Sequence, residues 1–483
     1  MNKIKLPKLQ KTKNNKSKKK KILLLSDDLR MHSGIATQSK EFVMGTIHKY
    51  DWVQIGGAIN HPENGKIVDM SDAIKNDFGV DDAYCKIYPI SGYGDSNTLR
   101  QIMEIEKPDA ILHFTDPRFW TWLYQMEHEI RQNIPILYYN IWDDIPDPLY
   151  NTNFYRSSDM LMSISKQTYG INKRILSKYG YEDWQLDYVP HGISKKRIFK
   201  IDKGDTKFRA FEQKHGLDRY KFKILYLNRN IRRKAPGDVA LAYKHMMDKL
   251  TPEQRKECVF VWHSAPSDDN GTDMRAVCKT LLPDYPIIFT YDNGGPMNDE
   301  EMNFLYNSVD VYINLASNEG FGLGSCEALH AGTPIIVNVT GGLQDQCGFK
   351  KSESAPDPSW GSSVRYLTAE DYVELQSNHR GTYKEHGEWV KPVFPSNISL
   401  CGSPQTPYIF DDRCRYEDAG EVLLEWYKVG PEERERCGEI GKKWVSSDNI
   451  RMTTEHMSES FIKNIEITFK NWKPRERYTV EVI

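Results

Sequence analysis

No stretch of this 483-residue chain approaches the roughly 20 consecutive apolar residues that cross a bilayer, and residues 1–21 lack the apolar centre of a secretory leader. The sequence therefore predicts a cytoplasmic protein with no transmembrane segment. Cysteine is sparse and unpatterned. Cys85, Cys258, Cys278, Cys326, Cys347, Cys401, Cys414 and Cys437 form no CxxC pair, which argues against a zinc knuckle or a disulfide scaffold. Acidic residues are missing from residues 1–21, where ten lysines stand. The rest of the chain then holds 55 of the 65 basic residues against 67 acidic ones, so the net charge of -2 conceals a cationic tail on an acidic body. Residues 1–20 are expected to be disordered by self-repulsion. They act either as a solubilising tail or as a tether for nucleic acid or another anionic surface.

What is present is enough apolar material, 39% of residues, for two or three globular domains at this length. The run KILLLS at 21–26 reads as a buried parallel strand, and the loop and helix pattern after it contains Ser33-Gly34 but no full GxGxxG. Strand-like runs recur at 52–55, 110–114, 136–139, 160–164 and 187–189, with helical patterns at 97–106 and 120–132. The segment PRFWTWLY at 117–124 is either a lipid-docking element or the start of a buried helix. A second start, KILYL at 223–227, is followed by strand candidates at 258–262, 286–290, 311–314 and 334–338 and by short helices at 300–308 and 327–330. Two α/β halves in series predict a cleft at their junction. Residues 345–405 are rich in Gly, Ser, Pro and His and read as a long loop that closes over a ligand or touches a partner. Residues 418–472 read as largely helical.

The richest segment is Asn318 to Gly342, NEGFGLGSCEALHAGTPIIVNVTGG. Its glycines let backbone N–H groups approach an anion, and a helix beginning near Ser325 would present its positive end to the same anion. Glu319 lies in the loop, where no helix position explains it. Glu327 falls in the first helical turn, a place any acid favours.

This segment resembles the nucleotide-recognition motif of the retaining group 1, or family 4, glycosyltransferases, with seven residues between the glutamates and a following Gly-Thr-Pro and Gly-Gly. The resemblance implies an α/β GT-B fold, two Rossmann-like domains facing across a cleft. It divides the chain into an acceptor domain at 21–195, a nucleotide-sugar domain at 196–440 with an insertion at about 345–405, and C-terminal helices at 441–483 returning to the first domain. It assigns Glu319 to the transferred sugar, Glu327 to the donor ribose, and the backbone at Gly322 and Leu323 to phosphate. In NRNIRRKAP, Arg229 and Lys234 would grip the donor diphosphate, where two cations suit a leaving group that gains charge. YVPHGI at 188–193 resembles the interdomain element, and Gly34 the N-terminal loop facing the donor. The family's histidine is met by His113, shifted by one from its usual spacing. Because strand residues alternate faces, either His113 reaches the cleft through a local adjustment or Asp116 takes part instead.

The implied activity is transfer of a sugar, with retention, from a nucleotide-diphosphate sugar to a hydroxyl of a glycan or small molecule, with no cofactor and no metal required. Two alternatives stand beside it: transfer to hydroxylated bases of DNA, which the basic tail suggests, and a non-catalytic nucleotide-sugar binding protein.

Overall fold

The computed structural model describes residues 19–354 and 362–476, so nearly all of the expected basic tail lies outside the described residues. The first half builds an eight-stranded sheet from β1 (Lys20–Asp27), β2 (Tyr50–Ala58), β3 (Val68–Asp69), β4 (Cys85–Ser91), β5 (Ala110–Phe114), β6 (Ile136–Asn140), β7 (Met160–Ser163) and β8 (Leu186–Tyr188). Its order is β3-β4-β2-β1-β5-β6-β7-β8, parallel except for the short β3. Both faces are covered by helices. Hence Ile22 to Leu25 of β1 are all fully buried, the continuous apolar run that a parallel strand needs.

The second half repeats the plan with β9 (Phe222–Tyr226), β10 (Cys258–Trp262), β11 (Ile287–Phe289), β12 (Val311–Asn314) and β13 (Ile335–Asn338). Among the described residues of the stretch expected to be a long loop, much is instead structured. It contains the antiparallel pair β14 (Lys350–Ser354) and β15 (Ser362–Tyr366), then β16 (Val390–Val393), then the hairpin β17 (Asn397–Ser403) and β18 (Thr406–Arg413). β16 completes the second sheet, whose order is β11-β10-β9-β12-β13-β16. The sequence hides this strand because Pro392 donates no hydrogen bond, which an edge strand tolerates.

In both sheets the strand order reverses beside the first strand, between β1 and β5 and again between β9 and β12. A crevice opens at the carboxyl ends of the strands at such a reversal, and ligands of open α/β sheets bind there. The C-terminal helix Thr454–Asn471 packs on the first helix, Gly34–Thr46, with the Phe42 and Phe461 rings stacked at 4.4 Å. The 120–132 pattern is not one helix. It breaks into Pro117–Trp120, Thr121–Gln125 and Glu127–Ile130, with Met126 outside the helical region at φ -93 and ψ 1. Trp120 and Leu123 of this segment are fully buried in the first half's core and Tyr124 nearly so, which makes it a packed element.

Candidate functional site

After β12 the chain runs through Leu315 to Phe321, turns at Gly322 with φ 88, and enters the helix Leu323–His330. Gly341, at φ 44 after β13, closes against this loop: a Cβ there would fall 2.2 Å from the Glu319 carbonyl oxygen. Both positions need glycine, one for the left-handed turn and the other for that turn and the close approach. The Gly342 N–H donates to the Glu319 carbonyl at 2.8 Å. The glycine turn thereby fixes the backbone that carries the Glu319 carboxylate.

That carboxylate accepts from the Lys234 ammonium, which arrives on the turn Arg232–Lys234 following β9. Lys234 is buried. Burial, then the adjacent Arg233, press its pKa well below the ordinary lysine value, and Asp143 opposes them. Glu327 is also engaged: one oxygen accepts from the Arg197 guanidinium and the other from the Tyr306 hydroxyl at 2.6 Å. Arg197 lies 3.8 Å from Glu41 as well, so one guanidinium joins the first helix, the interdomain segment and the helix after Gly322.

The two halves meet at Gly34 and Leu323, the first residues of their helices. A Cβ on Gly34 would stand 3.0 Å from Leu323 Cδ1. The N-cap of the first helix is Ser33, whose Oγ accepts from Ala36 N at 3.0 Å and donates to Asp27 at 2.9 Å. The starts of the two helices, each with a positive end, thus face one another across the halves, and Leu323 follows Glu319 by four residues in the chain.

Two of the expected residues stand elsewhere. Arg229 is turned to the flank, its side chain 65% exposed and paired with Asp268 at 2.9 Å, and it does not line the cleft. His113 pairs in register with Leu25 and points with it into the core under the 117–125 segment. Its Nδ1 meets the Tyr124 hydroxyl at 2.7 Å, its ring stacks on Tyr138 at 5.0 Å, and burial lowers its pKa to about 3. The one-position shift thus turned the imidazole to the wrong face. Its neighbour Phe114 takes the other face and packs on His191 at 5.7 Å. His191, from the PHGI element, is the histidine beside the loop that carries Glu319, 5.1 Å from Phe321, with Nδ1 at 2.8 Å from the Tyr139 hydroxyl. Burial lowers its pKa to about 3 as well.

Asp116 does reach the cleft. It caps Arg118 N at 2.9 Å, binds that guanidinium, and lines a cavity of about 460 Å³ between the two halves. The cavity floor is Tyr138 and the segment Ile141 to Asp144 after β6. Its second-half wall is Arg232, Arg233 and Asn318, and its roof is the β17–β18 hairpin. β18 ties the halves together. Phe410 N donates to the Ile145 carbonyl at 2.9 Å, and the Asn318 amide donates to the Phe410 carbonyl at 2.7 Å and to Asp144. Burial, then the neighbouring Asp143, push the Asp144 carboxyl well above its usual range, which favours its protonated form. Asp143, Asp144, Arg118, Arg232 and Arg233 were not singled out from the sequence. The signal for the acids was the pair Asp143-Asp144 just past the apolar run ILYYN, at the carboxyl end of a strand. Among the described residues no group of three or more His, Cys, Asp or Glu is arranged to hold a metal ion, and no helix is long and apolar enough to cross a membrane.

Residues 207–355 match the family described as glycosyl transferases group 1. Mannosylfructose-phosphate synthase of Agrobacterium fabrum is 20% identical over 206 residues, which is 42% of this chain and 43% of that protein. Alpha-monoglucosyldiacylglycerol synthase of Acholeplasma laidlawii is 25% identical over 187 residues, 39% of this chain and 43% of that protein. The chain thus matches less than half the length of either relative. Over its whole fold it is similar to Anabaena HepE, solved in complex with UDP and glucose, with a TM-score of 0.61, 10% identity and coverage of 93% of this chain and 100% of that one. It is also similar to sucrose-phosphate synthase from Thermosynechococcus elongatus, with a TM-score of 0.62, 13% identity and coverage of 94% and 100%. The shared architecture is GT-B, two Rossmann-like domains.

Proposed function

We propose, from a GT-B chain whose residues 207–355 match the group 1 glycosyl transferases, that this protein transfers a sugar from a nucleotide-diphosphate sugar to an acceptor hydroxyl, with retention at the anomeric carbon. The observation that carries the reading is the glycine loop that holds Glu319 against Lys234 and runs, four residues on, into the helix start at Leu323, which meets Gly34 of the other half. Converging N–H groups and an ammonium make a site for a dianionic leaving group, because charge accumulates on the diphosphate as the bond from C1 to its oxygen breaks. The complexes of HepE with UDP support a uridine nucleotide as the donor.

In this reading Lys234 and the amides at Gly322 and Leu323 hold the diphosphate. Arg229, itself exposed, joins them by exchanging its partner Asp268 for a phosphate oxygen. Glu319, released from Lys234 by the phosphate, accepts hydroxyls of the transferred sugar, and Glu327 turns from Arg197 to the ribose. As the C1–O bond breaks, its electron pair leaves with the diphosphate. The acceptor oxygen bonds to C1 from the same face and its proton passes to the departing phosphate oxygen. Asp116 borders the acceptor side.

The test is release of nucleoside diphosphate from a panel of UDP-, GDP- and ADP-sugars, with the anomeric configuration of the product read by NMR. Slow hydrolysis of one donor, lost in Lys234→Ala, is expected. Nucleotide binding with no turnover on any donor and acceptor would instead mark a binding protein.

A further inference from the structure

Arg197 stands between two carboxylates that belong to different halves. Its Nη2 donates to Glu327, on the helix that starts at Leu323, and its Nε lies 3.8 Å from Glu41, on the first helix. The two contacts differ in kind. The first is a direct hydrogen bond, whereas the second is an ion pair too long to be one. The Nε–H is shielded from solvent and has no hydrogen-bond partner, although Nε is the guanidinium nitrogen closest to Glu41.

Glu41 is under-supplied in the same way. Among the described residues its carboxylate accepts one hydrogen bond, from the Thr454 hydroxyl of the C-terminal helix at 3.2 Å. Burial raises its pKa, with Arg197 first among the groups that oppose the rise. Glu327, by contrast, has both oxygens engaged, by Arg197 and by the Tyr306 hydroxyl. Asp299 attracts Arg197 too, from beyond ion-pair distance.

A ribose hydroxyl that donates to Glu327 competes with Arg197 for that carboxylate. A guanidinium released at this depth needs another counter-ion, because a buried charge without one is costly. Glu41 is within reach: a shift of about 1 Å turns the 3.8 Å approach into a charge-assisted hydrogen bond and satisfies the Nε–H.

We infer that Arg197 exchanges partners when the nucleotide binds: Glu327 passes from Arg197 to the ribose, and Arg197 passes to Glu41. A contact made by the second half thereby adds a hydrogen-bonded ion pair to the first. Arg197 and Glu41 are positioning residues in this exchange, acting on the donor through Glu327. The inference rests on the reading of the chain as a nucleotide-sugar-dependent transferase.

The experiment is isothermal titration of the full chain and of Glu41→Gln with UDP and with dideoxyuridine diphosphate, which keeps base and diphosphate but offers Glu327 no ribose hydroxyl. Without nucleotide Arg197 keeps Glu327 in this variant, and the amide oxygen still accepts from Thr454, so the fold is expected to hold. Glu41→Asp, which keeps the charge and shortens its reach, carries the same comparison if it does not. The parent is expected to bind UDP at least about tenfold more tightly than the dideoxy compound. Glu41→Gln should weaken UDP by about tenfold and leave the dideoxy compound within about twofold of the parent, with Glu41→Asp falling between. Equal weakening of both nucleotides would reduce Glu41 to a structural role, and no weakening of either would show that Arg197 does not need it; each overturns the exchange. A parent that binds the two nucleotides equally removes Glu327 from the ribose, and the exchange falls while the transferase reading stands. If the parent does not bind UDP, the transferase reading falls and takes the exchange with it.

Discussion

Tyr150, on the loop after β6, and Tyr408, on β18, meet edge to face with ring centroids 4.9 Å apart. The Tyr408 hydroxyl accepts from Leu149 N at 3.1 Å and donates to the Asp147 carbonyl at 3.2 Å, while the Tyr150 hydroxyl donates to the Tyr408 carbonyl at 2.9 Å. This contact fastens the hairpin of one half to the loops of the other. Tyr408→Ala is expected to cost about 2–4 kcal/mol from lost aromatic packing and hydrogen bonds, and to open residues 397–413 to limited proteolysis before the rest of the chain. Cleavage distributed evenly over the chain would show that the contact does not fasten the hairpin.

Lys234 is buried and Glu319 half-buried, and the two form an ion pair, so removing one charge strands the other. Lys234→Ala should lower stability by about 3–5 kcal/mol, whereas Lys234→Met with Glu319→Leu should recover most of it. Neither variant should turn over a nucleotide sugar at more than about a hundredth of the parent rate. Denaturation midpoints and nucleotide release measured on the same preparations separate the two effects, and an active double variant would remove both residues from the mechanism.

Gly341→Ala tests the glycine turn. The side chain would meet the Glu319 carbonyl in a backbone conformation that alanine adopts poorly. A destabilisation of about 1–3 kcal/mol is expected, with a larger loss in turnover than Gly430→Ala, where φ is also positive, at 85, but a Cβ meets nothing within 4 Å. Equal activity in the two variants would show that the turn does not position Glu319.

Asp345 carries a pH dependence. It is buried, and desolvation raises its pKa to about 6, with Lys166 and the Tyr188 hydroxyl opposing. The unfolded value is about 3.9, so the folded state binds the proton more tightly. The stabilisation this gives is fully present below about pH 4 and is lost as pH rises through about 6, a change of about 3 kcal/mol. Asp345→Asn keeps an acceptor for Tyr188 and the Lys166 N–H but cannot ionise. The parent-minus-variant difference in denaturation midpoint should therefore fall between pH 4 and 7 and then level off; a flat difference would contradict this.

His113→Phe should retain nucleotide-sugar turnover within severalfold, because the imidazole lies in the core. It should cost about 1–3 kcal/mol, since the Tyr124 hydroxyl loses its partner. A loss of turnover at unchanged stability would return His113 to the cleft.

Much of the fold was legible in the chain because strands covered on both faces must be continuously apolar. The runs at 110–114, 258–262 and 311–314 coincide with β5, β10 and β12 residue for residue. β4 escaped because CKIYPIS alternates and carries Lys86 and Pro89, and β16 because VKPV reads as a turn. In the site, the glycine pattern placed Glu319, Gly322 and Glu327 on one loop and helix, which is local information.

What the sequence by itself determined is whatever depends on neighbours a few residues apart: which segments are buried strands, where Gly322 must turn, and that the chain folds as two α/β halves. The tertiary structure alone decided which charges share space. Gly34 meets Leu323, and Arg118, Arg233 and Asp144 border one cavity, although more than a hundred residues separate Arg118 from Arg233 and more than two hundred Gly34 from Leu323. It also decided the face of His113, since strand parity reverses with a single step and only the packed sheet fixes which parity points at the cleft.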